Sequence, residues 1–394
     1  MNSSFVDFYK SLGISPVSQN LDNLYQHFRR REHLYYSCGI WPESIEGKSV
    51  IEFGPGGGHN ALYTASLKPA SYKLVEGNPV AVEQIRRFVN NNQLSKSVEI
   101  CNSLFEEIFP DERFDLVIAE GCVPHQQDPV KVLQHIARFV KPGGLLLTTA
   151  ISSSSYLSEI CRRLVPNIMG TDHRDSEAVL RKFFAFYDRN LQRLTSRTRP
   201  TRDWILDNIV QDLENRSLFG MNDVLSALET DFTIIGTSPC IGLYKNWYKE
   251  YSRDSESSVT AREAREAISG AEVALLDYRL NNYSLPLDMA ETIKDCSESI
   301  WSLMKSIQNG IAAPEDLFPI FERLEGLLQS VSPITLPSVQ SFSHFIRCKS
   351  LDVLLRNGGL VDWWGRGQQY VTLRRNPIWY KPLKLHKKAE FSRP

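Results

Sequence analysis

The sequence predicts an α/β protein: a doubly wound, mostly parallel sheet in the N-terminal region, followed by a large helical region. Two observations predict it. Residues 48–150 alternate short apolar runs with helical stretches and tight turns, the pattern of a parallel sheet with helices on both faces. Beyond Ala150 helical periodicity takes over, with apolar residues recurring at three- and four-residue intervals.

Taken in order, Ser49-Val50-Ile51-Glu52-Phe53 reads as the first strand and ends at a glycine-rich loop, after which a helix covers about 60–67. Tyr72 to Glu76 is the second strand. Pro79 stands at a helix start, where its missing N–H costs nothing, and Val82, Ile85 and Val89 share one helical face. Val98 to Cys101 is the third strand; Phe114 to Ala119 is the fourth, almost wholly apolar as befits a strand covered on both sides. Pro129 opens a helix with Val132, Leu133, Ile136, Phe139 and Val140 on one stripe, which Lys141-Pro142-Gly143-Gly144 is expected to stop. Leu145 to Thr149 is the fifth strand. A serine run, Ser152 to Ser155, leads into a mainly helical, arginine-rich stretch over 156–228. Asp231 to Gly236 reads as a strand again, and 255–356 as helical, with stripes such as Ala264, Ala267, Ile268 and Ala271, and Leu317, Ile320, Phe321 and Leu324, expected to be core faces. Gly358-Gly359 breaks the last helix, and Gln369 to Leu373 reads as a strand. The basic tail from Lys381 is expected to be a solvated end.

Composition narrows the function classes. At 394 residues the chain suits one large domain with insertions, or two domains. A net charge of −1 gives no general attraction to nucleic acid or an anionic membrane, so neither is expected as a partner. The seven cysteines are scattered without metal-ligand spacing, so no metal is expected, and their odd number in a chain lacking a leader-like segment points to a reducing, cytoplasmic setting. No apolar run is long enough to span a bilayer.

The loop Glu52-Phe53-Gly54-Pro55-Gly56-Gly57-Gly58-His59-Asn60 follows a strand and opens a helix, the context that gives such a loop meaning. It lets backbone approach a ligand closely at a helix N-terminus, whose free N–H groups suit a carboxylate or a phosphate. A dinucleotide fits poorly. The third fingerprint glycine is replaced by His59, and Glu52 would repel a pyrophosphate while favouring an ammonium group. Glu76, at the end of the second strand, is placed to accept bonds from both ribose hydroxyls; the plainer alternative is that it caps the turn Glu76-Gly77-Asn78-Pro79. A ligand with a carboxylate, an ammonium and a ribose is an amino-acid nucleoside.

Val50 to Gly58, Glu76, Phe114-Asp115-Leu116-Val117 and Lys141-Pro142-Gly143-Gly144, in this order, resemble the class I, Rossmann-like S-adenosylmethionine-dependent methyltransferases over roughly 48–150. The resemblance implies a seven-stranded sheet with an antiparallel last strand, S-adenosyl-L-methionine as cofactor, and a methyl-transferring enzyme. It implies that Glu52 and the loop Gly54, Pro55, Gly56 to Gly58 contact the methionine part and that Glu76 holds the ribose; His59, read as shaping the methionine pocket, and Asn60, Gly77 and Asn78 are further candidate cofactor contacts. The adenine place falls on Asn102-Ser103-Leu104, where the family commonly has an aspartate. The sixth and seventh strands fall on 231–236 and 368–374. The expected organisation is an N-terminal helical cap (1–47), the cofactor-binding core (48–150), a helical lid with the sixth strand (151–244), a helical insertion (245–365), the last core strand (366–380) and the basic tail (381–394).

A base near the C-terminal end of the fourth strand would serve an acceptor that must lose a proton. Glu120, which also borders the cofactor, and His125 are the candidates; the alternative for His125 is that it only packs beside the cofactor. Cys122 reads as a buried core residue. Arg31 and Tyr35 from the N-terminal cap, His173 and Arg174 from the arginine-rich stretch, and Arg366 after Trp363-Trp364 are the candidate substrate contacts, since arginine with aromatic faces suits phosphates and sugars. The competing reading is a solvated arginine face and a tight tryptophan turn. The expected acceptor is a small molecule or carbohydrate of biosynthesis. The alternatives are a protein or nucleic-acid substrate, an aminopropyl transferase, and a non-catalytic binding subunit. The insertion is expected to form a lid or a homodimer contact.

Overall fold

The computed structural model describes residues 7–9, 12, 23–92, 97–124, 126–194, 197, 199–213, 216–243, 258–281 and 285–377. His125 and the basic tail lie outside them. One seven-stranded sheet forms the frame: β1 (Ser49–Phe53), β2 (Ser71–Val75), β3 (Val98–Cys101), β4 (Phe114–Ala119), β5 (Val140–Ala150), β6 (Phe232–Ser238) and β7 (Gln369–Arg375), in the order β3-β2-β1-β4-β5-β7-β6. The first five run parallel, and β7 lies antiparallel between β5 and β6. Every strand read from sequence is found within a residue or two, save β5.

β5 begins five residues early. The preceding helix already ends at Ala137, so Phe139 and Val140 fall outside its stripe, and Lys141-Pro142-Gly143-Gly144 lies within the strand, with a register shift opposite Phe114 and Leu116. The reason is a polar latch at the N-terminal edge of the sheet. Lys141 Nζ donates to Asp115 Oδ2 and to Ser49 Oγ, each at 3.0 Å, and Asp115 also accepts from the Ser49 main chain at 2.9 Å. Partial burial alone would raise the Asp115 carboxyl, but these bonds outweigh it and hold the group below its ordinary range.

Side chains alternate across the sheet with period two. Ile51, Phe53, Val117, Ala119 and Leu146 enter one apolar layer, and Val50, Leu116, Ile118 and Leu147 the other. The second layer is closed by α1 (Leu24–Ser37), α2 (Ala61–Ser66) and α3 (Pro79–Asn91). The first is closed by α4 (Pro129–Ala137), by α8 (Met221–Leu228) and by α9 and α10 of the insertion (Ser258–Gly270 and Glu272–Leu276). Part of the insertion is therefore a layer on the sheet.

The remaining helices build a second core. α5 (Ser153–Ile168), α6 (Ser176–Leu191) and α7 (Thr201–Ile205), with the π turn Leu206–Val210, pack against α11 (Leu287–Gln308), α12 (Phe318–Val331), α13 (Leu336–Cys348) and α14 (Leu351–Leu355). Residues before β6 and residues after it thus share one apolar cluster. The stripes of α12 and α13 (Phe321, Leu324, Leu328; Val339, Phe342, Ile346) turn inward to it. β5 and β6 both end, and β7 begins, at one edge of the sheet, since Ala150 faces Gln369 and Ser238 faces Tyr370. The helical body is therefore tied to the sheet at the edge that carries the glycine loop. Gly365 marks one tie: it crosses α5 so closely that a Cβ there would lie 2.0 Å from the Ser155 carbonyl oxygen.

Candidate functional site

The C-terminal ends of β1, β2, β3 and β4 meet around the loop Gly54–Asn60. Gly54, Gly56 and Gly58 have φ of +69°, +56° and +82°, a region costly for side chains, and a Cβ on Gly54 would stand 2.8 Å from that of Cys122. Cys122 is a packing residue, as read from sequence. It is buried against Gly54, and burial pushes its thiol well up, away from nucleophile chemistry.

Two buried carboxyls face this loop from neighbouring strands. Glu76 Oε2 accepts from Gly56 N at 2.9 Å and Oε1 from Asn78 N at 2.8 Å. Glu76 therefore joins the glycine loop to the turn after β2, and with about four lone-pair sites it keeps capacity for further donors. Burial raises its carboxyl to about 7 against the pull of these N–H groups. Glu52 is buried one strand away and accepts from the Tyr72 hydroxyl. Desolvation lifts it too to about 7; Tyr72 and Arg31 oppose the rise, and Glu120 and Glu76 add to it. Tyr72 was not singled out in the sequence, where it is one aromatic in an apolar run.

In the segment expected to meet adenine, Asn102 Nδ2 donates to the Glu76 carbonyl at 2.9 Å and Ser103 Oγ to Glu107 Oε2 at 2.7 Å, while Leu104 N donates to the same Glu107 oxygen at 2.9 Å. These three residues are brought beside Glu76 by the β2–β3 pairing. Their polar groups are partly used to shape the turn, with Glu107 as an unforeseen partner.

Glu120 ends β4 and meets three residues distant in sequence. Arg31 pairs with it through two nitrogens at 2.6 and 2.7 Å, Asn60 Nδ2 donates at 3.0 Å and the Tyr370 hydroxyl at 2.9 Å. His59, beside the glycines, is held through its carbonyl, which accepts from His27 Nε2 at 3.0 Å. Burial lowers both histidines, so they favour the neutral form.

Four of the five candidate substrate residues are turned inward instead. Arg31 is spent on Glu120, and Tyr35 is 1% exposed and shares a hydrogen bond with Thr64 at 2.8 Å. His173 is buried, and burial pulls it down to about 4. Arg366 donates to the carbonyls of Ala274, Tyr278 and Leu280, tying the last loop to α10. Arg174 stays half-exposed against Asp172. For Arg366 the physical reason is that a helical body with breaks leaves carbonyls unpaired, and inward-turned guanidinium groups satisfy them. Arg162 does so for Leu360 and Trp363, both at 2.7 Å, while lying over the Trp364 ring, and Arg163 does so for Asn208 and Gln211. The tryptophan turn is thus a packed corner. Among the described residues no cluster of three metal-ligating side chains occurs, and no helix is long and apolar enough to cross a membrane.

A family model described as a methyltransferase domain matches residues 51–148, the segment that carries β1 to β5, the glycine loop and Glu76. Over these residues the chain is similar to a methyltransferase domain. Curated relatives agree. A mitochondrial ubiquinone biosynthesis O-methyltransferase from Dictyostelium discoideum is 28% identical over 38% of this chain and 51% of its own length. Protein arginine N-methyltransferase 6 from Danio rerio is 31% identical over 28% of this chain and 33% of its own. A sterol 24-C-methyltransferase from Aspergillus fumigatus is 31% identical over 31% of this chain and 32% of its own. The matches span about half of these relatives or less. By their names they methylate oxygen, nitrogen and carbon, so the shared domain speaks to the donor and not to the acceptor. The site fits S-adenosyl-L-methionine, the family's cofactor: left-handed glycines, a buried carboxyl on the loop's main chain, and a second beside it.

Proposed function

We propose that the chain is an S-adenosylmethionine-dependent methyltransferase acting on a small-molecule or carbohydrate acceptor. The observation that carries the reading is Glu76, a buried carboxyl bonded at once to the glycine loop and to the turn after β2. Bound there, the cofactor supplies a methyl group already activated on a sulfonium. Glu76 would accept the ribose hydroxyls, and Glu52 would supply negative charge beside the methionine part. Gly54 to Asn60 would hold that part, and Asn102 to Leu104 the adenine. His125, in the same segment as Glu120, is the candidate base for an acceptor that must lose a proton. A cleft of about 680 Å³ lies between the segment after β4 and the lead into α8, lined by Gln126, Lys131 and Phe219 among others and by none of the residues proposed to hold the cofactor. Arg31, Arg162 and Arg163 are internal, so a phosphate on the acceptor draws no support from these three.

The test is calorimetric titration of S-adenosylhomocysteine into wild type and Glu76→Ala. Micromolar-range binding that weakens at least about tenfold in the variant supports the reading, since bonds to a charged group are worth roughly 1.5–3 kcal/mol. Absence of binding by folded wild type would overturn it.

A further inference from the structure

The bonds to Glu120 exceed what a general base needs. Oε1 takes three donors, from Arg31, Asn60 and Tyr370, and Oε2 takes the second nitrogen of Arg31. A carboxylate offers about four lone-pair sites, two on each oxygen, so Oε1 is fully engaged and Oε2 is held by Arg31. The pair is also nearly dry, with 7% of the Arg31 and 9% of the Glu120 side chain exposed. Burial works against the charge on Arg31, yet Glu120 holds its guanidinium above the ordinary range.

The donors come from three places: the N-terminal helix, the end of the glycine loop and the start of β7. The helix itself shows why this matters. The buried residues of α1 are His27, Arg31 and Tyr35, one turn apart along a single stripe, and each carries a polar tip. His27 reaches the His59 carbonyl, Arg31 reaches Glu120 and Tyr35 reaches Thr64, so α1 docks by a polar ladder. Aromatic edges add to it, with the Phe28 and Tyr35 rings 5.5 and 5.4 Å from Tyr63. Removing the middle rung leaves a buried guanidinium unpaired, which is the costly way to break such a ladder.

Resting on the methyltransferase reading above, we propose that Glu120 is a positioning residue and not the proton acceptor. With Arg31, Asn60 and Tyr370 it forms a clamp that fixes α1 across the glycine loop and ties both to β7. The cofactor site is then complete only when both ends of the chain are seated.

Glu120→Gln, Arg31→Met, the double variant and Tyr370→Phe test this through two readouts, S-adenosylhomocysteine affinity and amide hydrogen exchange over Leu24–Ser37. Glu120→Gln and Arg31→Met should each weaken binding roughly tenfold and speed exchange in α1, and the double variant should be no worse than either single, as for members of one network. Tyr370→Phe, which removes one donor and keeps the ring, should shift both readouts the same way by less, and it carries the test if the charge variants do not fold. Wild-type binding and unchanged α1 exchange in Glu120→Gln would overturn the clamp, as would additive losses in the double variant. If folded wild type binds no S-adenosylhomocysteine, the methyltransferase reading fails, and the exchange comparison still decides the clamp.

Discussion

Glu76→Gln offers a quantitative probe of the buried carboxyls. The Glu76 carboxyl rises from an ordinary 4.5 to about 7 in the folded chain. Between those two pH values the folded state keeps a proton that the unfolded chain has lost. Raising the pH through this window therefore costs folding stability, fully spent once the pH exceeds about 7, and amounting to about 3 kcal/mol for one such group. Glu52 and Glu272 rise to about 7 as well and slope the same way. His173, pulled down to about 4, slopes the other way between roughly pH 4 and 6.5, so the raw stability curve mixes opposed effects. A difference measurement removes the mixture. Gln cannot ionise, and its cost in lost main-chain bonds is independent of pH. Urea unfolding of ligand-free wild type and Glu76→Gln at half-unit steps from pH 5 to 8.5 should show the variant gaining on wild type by about 2–3 kcal/mol across the range. In parallel, S-adenosylhomocysteine should bind wild type more tightly as the pH rises through 7, because an ionised carboxylate is the better acceptor for hydroxyl donors. A difference that stays flat with pH, or that moves against the variant, would refute the burial argument.

Three further outcomes follow from geometry. Gly365→Ala would put a Cβ 2.0 Å from the Ser155 carbonyl oxygen and should cost roughly 2–4 kcal/mol, read as a lower urea midpoint. Arg162→Met would strip the carbonyls of Leu360 and Trp363 of their buried donor and should cost about 3 kcal/mol, with the fluorescence of Trp363 and Trp364 reporting the loosened corner. Lys141→Met breaks the latch to Asp115 and Ser49, but both charged partners are about a third exposed or more, so the cost should stay near 1 kcal/mol or below. Because that latch sits at the far edge of the sheet, S-adenosylhomocysteine affinity should not change.

How much was legible beforehand depended on how local the cause was. The strands follow from alternation of apolar runs with short turns, and the glycine loop and Glu76 from residues within one strand–helix–strand unit. The antiparallel β7 came with the family resemblance, not from the pattern of Gln369 to Leu373 by itself. What stayed hidden depends on partners far along the chain. Tyr370 meets Glu120 across 250 positions, and Arg31 meets it across 89. Nothing in the spacing of either residue announces this, so Glu120 read as a base and Arg31 as a substrate contact. The internal roles of Arg162 and Arg163 stay hidden for a related reason, while Arg181, Arg189, Arg193 and Arg202 lie on the surface. A run of cations looks like a surface for anions unless one knows which carbonyls the breaks between helices leave bare. Lys141-Pro142-Gly143-Gly144 was read as a stop because its breakers are local, whereas its entry into β5 depends on Asp115 and Ser49.

The position of β7 also dictates an order of assembly. Among the described residues β6 pairs with no strand except β7, and β7 lies between it and β5. While the chain is being made, β6 leaves the ribosome with no partner in the sheet, and residues 239–368 must follow before one exists. A nascent chain halted anywhere in that stretch holds a five-stranded sheet whose β5 edge is open, with a loose strand nearby that belongs to it only at second hand. Products truncated before β7 should be caught by chaperones or aggregate through β5, and Tyr370 reaches Glu120 only once β7 has been made.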